Sequence, residues 1–231
     1  MPDIVSEEKW REVRVSLVQK EKDLTRLRDE VTAVRRNLPW MLVTKNYLFE
    51  GENGQISLTD LFGQHDQLVV QHFMFGPDWE EGCPSCSFWV DGVNGTLDHL
   101  AARGTAYAAI SRGPLEKLLT YRERMGWSIP WVSSLDSDFN FDFGVSFTSE
   151  QVKNGKAEYN FGQTIHPPGE APGFSVFAKD EAGRIYRTYS TYARGLDPIN
   201  PVYQLIDLTP KGRDEDELTF PMAWVRRRDQ Y

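Results

Sequence analysis

Cysteine is the scarcest resource in this sequence: 231 residues hold two, Cys83 and Cys86. A disulfide framework is thereby excluded, and no second CxxC or paired-histidine motif exists to complete a zinc shell. No metal and no cofactor is expected, although a zinc half-site and two inert core thiols stand as alternatives to a redox pair. Long apolar runs are missing too, none approaching the ~18 residues of a membrane-crossing helix. Nothing near the start resembles the apolar core of a secretory signal. The expectation is a cytoplasmic chain without a membrane partner. Positive charge is also in deficit, with 26 Lys and Arg against 34 Asp and Glu and a net charge of −8. That balance argues against the phosphate attraction on which nucleic-acid binding depends. No internal repeat or low-complexity tract is visible.

What is present centres on Gly82-Cys83-Pro84-Ser85-Cys86-Ser87. Upstream, Gln67 to Phe75 is short, β-branched and aromatic, and stops at Gly76-Pro77, which reads as a buried strand. Downstream, Phe88, Trp89, Val93, Leu97 and Leu100 keep near-helical spacing from Ser85 to Ala102. The cysteines therefore fall where a strand gives way to a helix. The first helical turn carries unpaired backbone N–H groups and the positive end of the dipole, both of which favour a thiolate. Pro84 suits that turn, because its missing donor has no partner there anyway. Residues three apart share a helix face within disulfide reach. These observations make Cys83 the expected nucleophile and Cys86 the resolving thiol. In a reducing compartment a CxxC is more often catalytic than architectural.

Taken in order, residues 1–40 form an N-terminal helical extension. Ser6 to Asn37 lack glycine, and charges alternate with Trp10, Val13, Leu17, Leu24, Leu27, Val31 and Val34, predicting one amphipathic helix or a helix pair. It reads as a dimer arm, a lid, or a helix packed on its own domain. Residues 41–195 form the main domain. Tyr47 to Leu58 reads as two strands around a Gly/Asn turn. Thr105 to Ser111, a helix from Pro114 to Gly126, and Trp131 to Leu135 then continue a strand-helix alternation that implies parallel pairing. Asp136 to Gly144 alternates acids with aromatics and is read as an anchored loop, lacking the glycine and terminal glutamate of a calcium loop. Asn154 to Pro172 is read as a long loop, and Gly173 to Ala178 with Arg184 to Tyr189 as a hairpin. Residues 196–231 are a C-terminal extension in which Arg226-Arg227-Arg228 reads as a solvated terminus.

A CxxC at a strand-to-helix turn, followed by strand-helix-strand and a hairpin, resembles the thioredoxin fold, and the opening strands resemble its peroxiredoxin-like branch. More closely, His72-Phe73-Met74-Phe75-Gly76-Pro77, the Gly82 to Cys86 stretch, Met125-Gly126-Trp127, Asp138 to Val145 and Tyr189 to Asp197 together resemble the thioredoxin-like DUF899 family. The resemblance implies an α/β thioredoxin-like fold, a central mixed sheet flanked by helices, with the N-terminal helix and C-terminal tail as additions. It supplies a dithiol site but no substrate, because the family name marks a domain of unknown function. Such members are commonly labelled dithiol-disulfide oxidoreductases or isomerases, a label that itself rests on the cysteine pair. Thioredoxins place a buried aspartate in the strand before the motif; here the polar residue is His72, read as a relay or a core histidine. The fold's cis-proline opposite the dithiol has its candidate in Pro172, with a trans turn proline as the open alternative. Where peroxiredoxins carry proline and threonine ahead of their cysteine, this sequence has Gly76 and Glu80. Glu80 and Glu81 are expected to oppose thiolate formation by like-charge repulsion.

Three functions follow as expectations. The first is a thiol-disulfide oxidoreductase whose substrate is a protein or small-molecule disulfide, with Pro84, Trp79, Glu80, His72, Pro172 and Arg194 lining the site. The second is a thiol peroxidase, which needs Arg112, Arg184 or Arg194 to polarise the peroxide. The third is a redox-inert protein binding a small ligand among Trp79, Trp89, Trp127 and Phe143. A homodimer is an open expectation.

Overall fold

The computed structural model describes residues 3–231, which separate into two compact units, one ending at Pro39 and one spanning Trp40–Tyr231. The first unit is a single helix, α1 (Glu7–Arg36), rather than a pair. Nothing within its 30 residues breaks it. Ser6 caps it by accepting from the Lys9 N–H, Glu7 and Glu8 occupy the first turn and Arg35 and Arg36 the last, all signs that suit the helix dipole. No residue of α1 is buried. No helix among the described residues is long and apolar enough to cross a membrane.

The second unit is built on an eight-stranded mixed sheet. Its elements run β1 (Met41–Leu42), β2 (Leu48–Gly51), β3 (Gly54–Ser57), β4 (Gln67–His72), α2 (Pro84–Val93), α3 (Leu97–Ala101), β5 (Thr105–Ser111), α4 (Leu115–Arg124) and β6 (Trp131–Ser133). They continue as α5 (Phe139–Asp142), β7 (Ser146–Phe147), α6 (Ser149–Lys153), β8 (Glu158–Tyr159), β9 (Thr164–Ile165), β10 (Gly169–Glu170), β11 (Gly173–Lys179), β12 (Ile185–Tyr192) and α7 (Pro201–Ile206). The sheet order is β1-β12-β11-β4-β5-β6-β2-β3. β4, β5 and β6 are parallel through helical crossovers, while the β11–β12 hairpin lies antiparallel on the other side of β4. A central strand that feeds the cysteine helix, parallel neighbours on one side and a returning hairpin on the other make this sheet thioredoxin-like.

Side-chain alternation divides the core between the two faces of the sheet. Leu68 and Val70 of β4 join Ala108, Ile110, Phe139, Phe143 and Phe177 on one face. Phe73, Tyr107 and Ala109 join Cys86, Trp89, Tyr121, Trp127 and Trp131 on the other, beneath α2 and α4. The helix anticipated from Ser85 to Ala102 is broken by a 3₁₀ turn at Asn94–Thr96. Gly95 weakens it there, and the Asn94 side chain instead accepts from the Ser128 N–H at 2.7 Å.

The segment read as a long loop, 154–172, is ordered into short ladders: β8 pairs with β9, and β10 pairs with β7. It buries Ala157, Tyr159, Glu170 and Ala171. The acid-aromatic stretch read as a loop contains the short helix α5, but its faces are as anticipated, with Phe139 and Phe143 buried and Asp138 and Asp142 outside, both 2.7 Å from Lys45 Nζ. The triple arginine departs from the solvated terminus expected of it. Arg227 donates twice to the Gly82 carbonyl, at 3.1 and 2.8 Å, and pairs with Glu81 at 2.8 Å. Arg228 donates to the Met125 carbonyl.

Candidate active site

The site begins where β4 ends. Beyond His72 the chain stays extended, and the Cys83 N–H donates to the Met74 carbonyl at 3.1 Å while the Met74 N–H points to Cys86 Sγ at 3.4 Å. Cys83 is the N-cap of α2 and Pro84 its first residue. Gly82 has to be glycine for space, since a Cβ there would come within 2.8 Å of the Phe73 and Tyr121 rings. Ser87 ties the turn down from below, its N–H and hydroxyl both donating to the Cys83 carbonyl at 3.0 and 2.9 Å.

Both cysteines are free thiols, Cys83 partly exposed and Cys86 buried. They sit within one turn at the start of α2, and Cys86, with its own backbone, the Ser85 backbone and the Ser85 hydroxyl, holds the Cys83 thiol down to about 6 against the cost of burial. Burial and the neighbouring sulfur push Cys86 well above the ordinary thiol range. An accessible thiolate beside a buried, protonated partner is the division of labour that dithiol exchange requires.

A cavity of about 750 Å³ opens over the pair. Its apolar wall comes from Met74, Trp89, Leu196, Phe220, Pro221 and Met222, and its charged rim from Arg194, Lys211, Asp214, Glu215 and Asp216. Much of this wall belongs to the C-terminal extension. Glu215 organises it, accepting from the Tyr203 hydroxyl (2.7 Å), the Met222 N–H (3.0 Å) and the Trp224 indole (2.7 Å).

The anticipated lining residues divide. Pro172 and Arg194 reach the cavity; Arg194 is largely exposed and pairs with Asp197 at 3.2 Å. No described peptide bond is cis, so of the two forms left open for Pro172 the structure has the trans one. Trp79, Glu80, His72 and Pro84 do not line the cavity, Pro84 serving as the first residue of α2. Trp79 packs on the aromatic cluster below. Glu80 turns to Lys117 at 2.6 Å, and Glu81 to Arg124 at 2.5 Å. Both acids are thus neutralised by partners, which is why the repulsion expected at Cys83 does not hold its thiol up. His72 sits on the opposite face of the sheet, its Nε2 2.8 Å from Ser175 Oγ and its ring 5.6 Å from both Phe139 and Phe143. Burial and Arg187 push it down to about 3, so it stays neutral and serves the core. Arg112 is held by Glu170 at 3.2 Å and Arg184 by Asp180 at 2.7 Å, neither at the cavity. Of the four aromatics proposed for a ligand pocket, only Trp89 lines it.

The profile of the family described as "Bacterial protein of unknown function (DUF899)" matches residues 1–231. The chain belongs to the DUF899 family. The comparison with curated proteins finds no match to this DUF899 protein. Solved structures similar to it include peroxidoxin BcpB from Mycobacterium tuberculosis, 13% identical, covering 73% of this chain and 97% of that one at a TM-score of 0.48. Peroxiredoxin Q from Xanthomonas campestris, solved as a cysteine-to-serine mutant, is 16% identical over 73% of this chain and 98% of its own, with a TM-score of 0.45. Xylella fastidiosa PrxQ, also a cysteine-to-serine mutant, is 14% identical over 71% and 91%, again at 0.45.

Two residues of the DUF899 site escaped the sequence reading. Gln71, one position before His72, faces the dithiol: its side-chain N–H donates to the Cys86 carbonyl at 3.1 Å and its oxygen accepts from Tyr107. Strand parity carries the signal, because Phe73 on the dithiol face requires Gln71, not His72, beside it. Tyr159 donates to the Pro172 carbonyl at 2.6 Å and accepts from the Ala193 N–H at 2.9 Å, holding two cavity residues together. No local pattern marks it, since its partners lie 13 and 34 residues away.

The pH dependence of Cys83 alkylation tests this electrostatic arrangement. With a pKa of about 6 the rate rises with pH around a midpoint near 6. Because nucleophilicity falls with thiol basicity, Cys83 should outpace a model thiol of pKa ~8.5 only about 2-fold at pH 7 but about 20-fold at pH 5. Iodoacetamide rates from about pH 4 to 9 measure it; a midpoint near ~8.5 contradicts it.

Proposed function

We propose that this protein is a thiol-disulfide oxidoreductase, with Cys83 as nucleophile and Cys86 as resolving thiol. The observation that supports it best is the placing of a partly exposed Cys83 and a buried Cys86 within one turn at the start of α2, both lining the cavity, with the Cys83 thiol lowered by its neighbour. The Cys83 thiolate attacks one sulfur of a substrate disulfide; that S–S bond breaks and the departing thiolate takes a proton from solvent. Cys86 then loses its proton and attacks Cys83 Sγ, closing the Cys83–Cys86 disulfide and releasing the second substrate thiol. Two electrons pass from the dithiol to the substrate, and a small thiol or a protein dithiol restores the reduced pair. The cavity falls within the ~300–1,000 Å³ range of small-molecule sites, and its apolar wall favours an organic disulfide or an extended peptide.

The test is stoichiometric. Fully reduced protein mixed with excess aromatic disulfide should release two thiols per chain and finish with one intramolecular disulfide by mass. Release of no thiol favours a redox-inert binding protein. Consumption of hydrogen peroxide faster than by a free thiol of the same pKa favours the peroxidase reading.

A further inference from the structure

The face of α1 keeps a period of ~3.5 residues rather than ~3.6. Assigning Trp10, Leu17, Leu24 and Val31 to a positions of a heptad places Val13, Lys20, Leu27 and Val34 at d, over four consecutive heptads. Seven of these eight positions are apolar, and all seven side chains are about half exposed or more, from 48% for Leu17 and Val31 to 66% for Val34. A straight helix drifts about 20° per heptad against such a repeat, so a sustained one serves helices that supercoil around each other. We propose that α1 is a dimerisation helix whose occupant is α1 of a second copy of this chain, paired in parallel and in register.

Charge identifies the partner and its direction. In a parallel pair each g residue faces the e residue of the next heptad on the partner. This sets Asp23 against Arg28 and Glu30 against Arg35, both attractive, with Ser16 against Glu21 neutral. Lys9 against Arg14 is the one like-charged match, and Arg14 is already paired within its own helix to Glu21 at 2.8 Å. Reversing one helix brings Arg14 to Arg28, Glu21 to Glu21 and Asp23 to Asp23, like charge against like, with Glu7 against Arg35 as the attractive match. Val31 at a beside Leu27 at d is a combination that favours two strands. Lys20 places an ammonium in the seam, which fixes register and limits strength.

Sedimentation equilibrium of the full chain at roughly 1–100 μM tests the proposal. Twice the chain mass is expected, with Leu17→Asp/Leu24→Asp weakening association at least about 100-fold while thiol reactivity of the second unit stays intact. A monomer throughout overturns it, and so does a dimer that the double substitution leaves untouched. Direction is read by Val31→Cys in a Cys83→Ser/Cys86→Ser background: a parallel pair brings the two new thiols together and cross-links on mild oxidation, whereas an antiparallel pair sets each opposite Val13 and does not.

Discussion

Cys83→Ser is expected to abolish disulfide reduction, with a loss of at least about 1,000-fold, because the other thiol lining the cavity, Cys86, is buried and held protonated by that burial. Cys86→Ser should behave differently. Its Cys83 still attacks, since the nucleophile and most of its hydrogen bonds remain, but nothing resolves the product. The variant should accumulate a mixed disulfide visible by mass and reversible with dithiothreitol. Turnover then falls to the slow rate at which external thiols rescue it. The contrast between the variants is diagnostic: equal loss without a trapped adduct removes the two-cysteine mechanism, and full activity in Cys83→Ser removes the site altogether.

Phe139→Ala should cost about 3–5 kcal/mol, a fifth or more of the ~5–15 kcal/mol that holds a typical domain together. The ring is fully buried. It meets Tyr47 edge-on at 5.0 Å and Phe49 at 5.1 Å, and lies 4.4 Å from Phe143. A hole framed by rigid rings collapses poorly, which puts the substitution at the costly end of its class. It also strips an apolar neighbour from His72, a buried imidazole whose Nδ1 has no hydrogen-bond partner. Chemical denaturation followed by tryptophan fluorescence reads the effect, and a change below about 1 kcal/mol would mean that α5 contributes little to this core.

How much of this was legible in the sequence depended on the range of the interactions involved. Strand β4, the cysteine turn and α4 announce themselves through periodicity and a proline at the first turn, all local quantities. The thioredoxin-like order of the sheet followed from alternating strands and helices. Distant partners decided the rest. His72 drew attention as the titratable residue of its strand, yet pleating sends it away from the sulfur and offers Gln71 instead. Glu80 and Glu81 looked hostile to a thiolate until Lys117, Arg124 and Arg227 arrived from other elements. Residues 154–172 looked like loop because two-residue ladders leave no period to detect. Arg226-Arg227-Arg228 has the composition of a frayed end, and it takes Glu81 and the Gly82 carbonyl, the latter 145 residues earlier, to give Arg227 its place.

The cavity wall is drawn from residues as late as Met222, while the sulfurs it shelters come at 83 and 86. At about 5–20 residues per second, the 136 positions separating Cys86 from Met222 take roughly 7–27 s to synthesise. For that interval a nascent chain carries a complete CxxC without its cover. The cover is therefore made well after the two sulfurs it shelters.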